Sequence, residues 1–150
     1  MTTTERYDPL PVFCFKLTLD LPSGHKFGEM FFKSVSGLKI ETEVVDYKEG
    51  GINDSTHKLV GATKWPNLVF KRGFTGSPEL LQWRDSWLRS AGTKSRLSGT
   101  IIAVTTNFTE KMTWTFNRGW PCKWEGPDFD ASKNEVAIES LEIAHEGLTF

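Results

Sequence analysis

The residues best suited to chemistry are few and scattered. His25, His57 and His145 stand far apart with no HxH or HxxxH spacing, and Cys14 and Cys122 are the only cysteines. Zinc-type sites need clustered nitrogen and sulfur ligands, so no metal site is expected. No GxSxG, GxxxxGK(S/T) or GxGxxG segment occurs, and Gly50-Gly51 reads as turn chemistry rather than a phosphate cradle. Glu41 and Glu43 share one face of a strand, as an acid–base pair can, but alternation on any solvated strand gives the same pattern. The sequence therefore offers no catalytic residue and no cofactor site. Its six tryptophans and eleven phenylalanines bury about 150–250 Å² each in a typical core. Most must be interior, while Trp65, Trp114, Trp120 and Trp124 are candidates for a sugar-stacking platform or a subunit contact.

The elements that position these residues are mainly strands. Val12 to Asp20 alternates with Phe13, Phe15, Leu17 and Leu19 on one side, the period of a half-buried strand. Glu29 to Ser36 reads as a second strand, and Gly37 as a bulge or bend. Lys39 to Tyr47 and Thr56 to Val60 flank the turn residues Glu49 to Asp54, predicting a long polar hairpin. At 3.4 Å per residue each arm reaches about 27 Å, more than a buried hairpin in a small domain needs. Asn67 to Gly73 predicts another strand. Ser77 as cap, Pro78 at the first helical position and Glu79 at the positive end of the dipole then predict a helix. Leu80, Trp83 and Trp87, flanked by Leu81 and Leu88, form its apolar stripe up to about Gly92. Thr100 to Asn107, Lys111 to Trp120 and Asn134 to Phe150 complete the strands, with Pro121 to Ser132 as an irregular loop. In the last strand Val136 and Ile138 alternate in one phase and Leu141 and Ile143 in the other, so a β-bulge is expected near Glu139-Ser140. The expected fold is mainly β: two packed antiparallel sheets forming a barrel or sandwich, with one flanking helix and an extended hairpin.

Length and charge bound the rest. A chain of 150 residues buries about 70% of its unfolded surface around one core, so a single domain over residues 1–150 is expected. No apolar run approaches the roughly 18 residues of a membrane span. The start Met1 to Glu5 has neither a basic stretch nor an apolar run behind it, so synthesis and assembly in the cytoplasm are expected, where two free cysteines are at home. The net charge of −1 gives no reason to expect specific nucleic-acid recognition. Charge is unevenly spread, −3 over residues 1–57, +8 over 58–124 and −6 over 125–150. Such alternation produces either ion pairs within one molecule or attraction between copies.

The run Phe32-Lys33-Ser34-Val35-Ser36-Gly37-Leu38, followed by Glu41-Thr42-Glu43-Val44-Val45-Asp46-Tyr47-Lys48-Glu49-Gly50-Gly51, resembles the tail-tube proteins of contractile phages and related injection systems. The resemblance continues through His57-Lys58-Leu59-Val60-Gly61, Lys64 to Gly73, the helix around Trp83, Phe129-Asp130-Ala131 and the closing Glu135 to Gly147 strand. It implies a structural subunit, not an enzyme, that forms hexameric rings stacking into a hollow tube. It further implies a surrounding sheath, a baseplate with tube-initiating proteins, a tape-measure protein, protein cargo in the lumen, and residence in a phage tail or released particle. The ring-forming tube protein of type VI secretion is the nearest alternative within this architecture, and a carbohydrate-binding β-sandwich is the alternative outside it. Contacts between rings or subunits are expected from Glu41, Glu43, Asp46, Tyr47, Glu49, Gly50, Gly51, Asn53 and His57 of the hairpin, meeting basic residues such as Lys71 and Arg72. Should strand faces line a channel, Thr100, Thr105, Thr106, Thr113 and Thr115 would suit easy passage.

Overall fold

A computed structural model describes residues 12–20, 29–48, 50, 55–74, 76, 78–89, 96–128, 131–132 and 136–150. Among the described residues ten strands and one helix follow one another: β1 (Val12–Leu19), β2 (Met30–Phe32), β3 (Ser34–Ser36), β4 (Glu41–Lys48), β5 (Thr56–Lys64), β6 (Leu68–Gly73), α1 (Glu79–Arg89), β7 (Leu97–Thr105), β8 (Glu110–Glu125), β9 (Ile138–Ala144) and β10 (Gly147–Thr149). All pairings are antiparallel. One layer runs β2-β1-β7-β8-β10 and the other β8-β9-β6-β3, so β8 serves both. The strand path is open at β2 and β3, which makes the body a sandwich rather than a closed barrel.

β8 manages its double role through a bend. Its first part pairs with β7 and β10 and its last part with β9, and Arg118 between them takes a left-handed φ of 53°. Phe116 points inward at the bend, where its ring occupies the space that a β-carbon would need on Gly99 (2.3 Å) and on Gly119 (2.4 Å). Glycine at both positions is therefore a packing requirement. β8 continues through Pro121 to Glu125, where an irregular loop was expected from the proline. The ladder shifts register between Pro121 and Lys123, a place where a residue without an N–H is tolerated.

The core holds Leu17, Phe32, Leu68, Phe70, Ile101, Phe116, Leu141 and Ile143, all essentially inaccessible. The expected strand over 29–36 is split at Lys33, whose amide donates to the Lys71 carbonyl at 2.8 Å as the chain passes from one layer to the other. β9 holds the expected direction but not the expected bulge. Its pairing with β6 runs unbroken from Leu68↔Ile143 to Gly73↔Ile138. Glu139, Leu141 and Ile143 point inward in one phase, and Val136 and Ile138 are exposed. The apparent change of phase arose because the buried position is filled by a carboxylate rather than an aliphatic.

Helix α1 packs on β8 through Leu80 and Trp83, which are buried, and through half-buried Trp87, whose ring stacks on Trp120 at 5.0 Å and 12°. Leu81 and Leu88 are exposed rather than part of the packed stripe. Ser77, the expected cap, lies outside the described residues, while Gln82 donates to the Pro78 carbonyl in the first turn. With Trp83 only 4% exposed, Trp83→Ala is expected to lower the unfolding free energy by about 3–5 kcal/mol. Urea denaturation measures it, and a shift within error of wild type would place the ring outside the core.

Candidate assembly surface

The hairpin stands apart as a two-stranded sheet of its own, with no strand of the body paired to it. Its root is fixed on both sides. Gly37, at φ +93°, lies so close to the Asn67 carbonyl that an added β-carbon would sit 2.2 Å from the oxygen. At the exit, buried His145 places Nε2 3.1 Å from the Pro66 carbonyl and Nδ1 3.2 Å from the Gly147 carbonyl, with Trp65 packed against its ring. These contacts hold both ends of the ribbon's base against the body.

Register sorts the hairpin residues onto two faces, since directly opposed residues share a side. Glu41 faces Lys64, Val45 faces Leu59 and Tyr47 faces His57, and strand alternation places Glu43 with them. On the other side Thr42 faces Thr63, with their hydroxyls 3.1 Å apart, Val44 faces Val60, and Asp46 faces Lys58. The ladder slips between Thr42 and Val44, so Glu43 lies opposite the Gly61-Ala62 bulge and has no lysine across from it. Every residue of β4 and all of β5 except Gly61 are exposed, Val60 to 88%. Glu49, Gly51 and Asn53 lie outside the described residues, and Gly50 sits in the turn. A lone two-stranded ribbon is marginally stable in water, and clustered exposed aliphatics mark interaction surfaces.

The two basic candidates differ in availability. Lys71 is exposed on the outer face of β6, beside Lys123, Glu125, Ser140 and Glu142. There the Lys123 ammonium, at 2.5 Å, holds the Glu125 carboxyl below its usual range, and Lys71 adds to that effect. Arg72 is largely buried. Its Nε donates to Glu139 Oε2 at 3.0 Å, and its guanidinium carbon lies 5.6 Å from the centre of the Phe32 ring. Glu139, 1% exposed, accepts a second bond from Trp124 Nε1 at 2.8 Å. Arg72 Nη2 is buried without a hydrogen-bond partner among the described residues. Other parts of Arg72 line an open groove of about 540 Å³ whose walls include Phe13, Phe31 and Lys33. Sequence reading named Arg72 as a contact, Trp124 as a platform candidate and Glu139 as a bulge site, but missed that Glu139 joins the other two. The available signal was the strict alternation of Glu139, Leu141 and Ile143.

The tryptophans form no platform. Trp65, Trp114 and Trp124 pack against the core, and Trp120 lies under Trp87. Among the described residues no group of three or more His, Cys, Asp or Glu side chains is gathered to hold a metal.

The profile of the T4-like virus tail tube protein gp19 family matches residues 11–149. The chain belongs to this tail tube family. Among solved structures, it is similar to a chain of the PVC sheath-tube complex of an extracellular contractile injection system in its extended state, at 25% identity and TM-score 0.75 over 94% of this chain and 90% of that one. It is also similar to a chain of the 6-fold symmetrised baseplate of the anti-feeding prophage, at 27% identity and TM-score 0.72 over 99% and 96%. Hcp1 from Flavobacterium johnsoniae shares the fold at 17% identity and TM-score 0.52, over 91% and 94%. No curated protein matches the sequence.

Two expectations follow from the buried network and its neighbour Cys122. Glu139→Ala should cost about 3–5 kcal/mol, because it strands a buried guanidinium; thermal and urea unfolding read the loss, and a neutral result would show that Arg72 finds water. Burial, with the Glu142 carboxylate adding to it, pushes the Cys122 thiol pKa up. The thiolate is the reactive form, so in a Cys14→Ser background the pH midpoint for iodoacetamide alkylation should lie above that of a free thiol. A midpoint at or below the free-thiol value would contradict the burial seen here.

Proposed function

We infer that the chain is the inner-tube subunit of a contractile injection particle, a structural part rather than a catalyst. Copies join head to tail into hexameric rings, and rings stack into a hollow tube. The observation that carries this reading is the hairpin, an exposed ribbon with aliphatic side chains on a tail tube fold. The open sheet borders add to it. β2 and β10 end the five-stranded layer on opposite sides, and unpaired edges of this kind are left safely only when covered. A head-to-tail contact that closes gives a ring.

A sheath outside the tube and a baseplate at its origin are the partners this reading requires, as in the complexes that hold the similar chains. A tape-measure protein to set length and protein cargo in the lumen complete it. The outer face of the first layer is our candidate for the channel wall: Thr18, Thr100, Thr115 and Thr149 align across four strands, and Thr113 lies one row away opposite Ile102, in line with Lys16, whose ammonium is paired with Glu110 and Glu29. Small hydroxyl side chains there carry no charge to hold a passing chain. Thr105 does not belong to this wall, being buried and bonded to the Thr109 carbonyl. Within this reading the subunit ends in a phage tail or a released particle, and no described helix is long and apolar enough to cross a membrane.

Deleting residues 50–55 at the hairpin tip should leave a folded subunit with an unchanged thermal melt and abolish long tubes in negative-stain micrographs. Tubes of normal length from that variant would refute the role given to the hairpin.

A further inference from the structure

Two titratable side chains are buried among the described residues, Glu139 and His145. Glu139 is matched by Arg72. His145 has no ion pair among those residues, and both of its ring nitrogens face carbonyl oxygens: Nε2 lies 3.1 Å from that of Pro66 and Nδ1 3.2 Å from that of Gly147. A neutral imidazole carries one N–H, so it donates to one carbonyl and turns a lone pair toward the other. Only the protonated ring, with two N–H groups, donates to both.

The two carbonyls belong to segments far apart in the chain. Pro66 stands at the exit of the hairpin, and Gly147 opens β10. The rings of Trp65 and Phe116 lie against the imidazole at 6.0 and 6.2 Å. Charged groups on the adjoining elements are turned elsewhere. Glu146 accepts from Arg96 and from Arg118 of β8, and Lys123 pairs with Glu125. Lys64 stands across the hairpin ladder from Glu41, while Lys71 of β6 and Glu142 of β9 line the outer face. The two carbonyls are thus the polar groups that meet the ring.

We propose that His145 is a proton-operated latch at the root of the hairpin. Protonated, it donates to the Pro66 and Gly147 carbonyls together and ties the hairpin exit to β10. Neutral, it holds one and releases the other. Burial opposes the charge, and two charge-assisted bonds stabilise it. Histidine changes charge between about pH 5 and 8, so the second bond is made in acid and given up as the pH rises through that window. Where the tube reading holds, the same proton sets how firmly an assembly element is fixed to the body, but the latch itself belongs to the single subunit.

Nuclear magnetic resonance of the purified, nitrogen-labelled subunit tests it, with His145→Gln to assign the ring. His145 should show two slowly exchanging ring N–H signals near pH 5 and one near pH 8. Amide hydrogen exchange, corrected for its intrinsic pH dependence, should show residues 64–68 or 147–149 protected about tenfold more at the lower pH, the low end for a hydrogen bond to a charged group. The amide of core residue Ile101 serves as the reference for global opening, and in His145→Gln the protection of both segments should not change with pH. A single ring signal near pH 5, two near pH 8, or equal wild-type protection at both overturns the latch. Should the glutamine variant fail to fold, the wild-type signals and exchange decide alone. A wild-type chain that forms no tube with sheath and baseplate proteins removes the tube reading and leaves the latch standing.

Discussion

One strand has to belong to two layers, and the body of this subunit is arranged around that requirement. β8 pairs with β7 and β10 before its bend and with β9 after it, and the helix rests on the same strand. Backbone groups buried at such a corner need partners throughout. The left-handed turn at Arg118 and the register shift after Pro121 let the strand change partners, and the ring of Phe116 between two glycines fills the corner. The outcome is a sandwich whose interior is complete within one chain.

The hairpin is the opposite case. It gains nothing from that core, and its own two strands provide only a ladder and a few cross-strand pairs. Much of its charge is matched internally, Glu41 across from Lys64 and Asp46 across from Lys58. Besides that charge it offers outward the apolar side chains of Val44, Val45, Tyr47, Leu59 and Val60. Non-directional apolar burial suits repeated contacts between identical copies, with a few charges setting register.

The uneven distribution of charge along the chain resolves largely inside the subunit. Arg72 with Glu139, and Arg96 and Arg118 with Glu146, join the basic middle segment to the acidic end. Segments far apart in sequence are brought together by β9 lying between β6 and β8, so the alternation describes folding partners as much as attraction between copies. That pairing was invisible in the linear charge count, which has no information on strand order.

Periodicity located β1 and β6, and turn and cap residues together with it located the hairpin and the helix, because these signals are local to each stretch of backbone. Local chemistry also placed Gly37 at a bend and kept Glu41 and Glu43 on one face. Three features required the tertiary structure. Pro121 lies in a strand because it falls where the ladder with β9 shifts register, a place that tolerates a residue without an N–H. Glu139 is buried because Arg72 and Trp124, distant in sequence, reach it from neighbouring strands. The two faces of the hairpin became distinguishable only once the Gly61-Ala62 bulge fixed which residues stand opposite one another, since a slip of one residue turns every side chain to the other side.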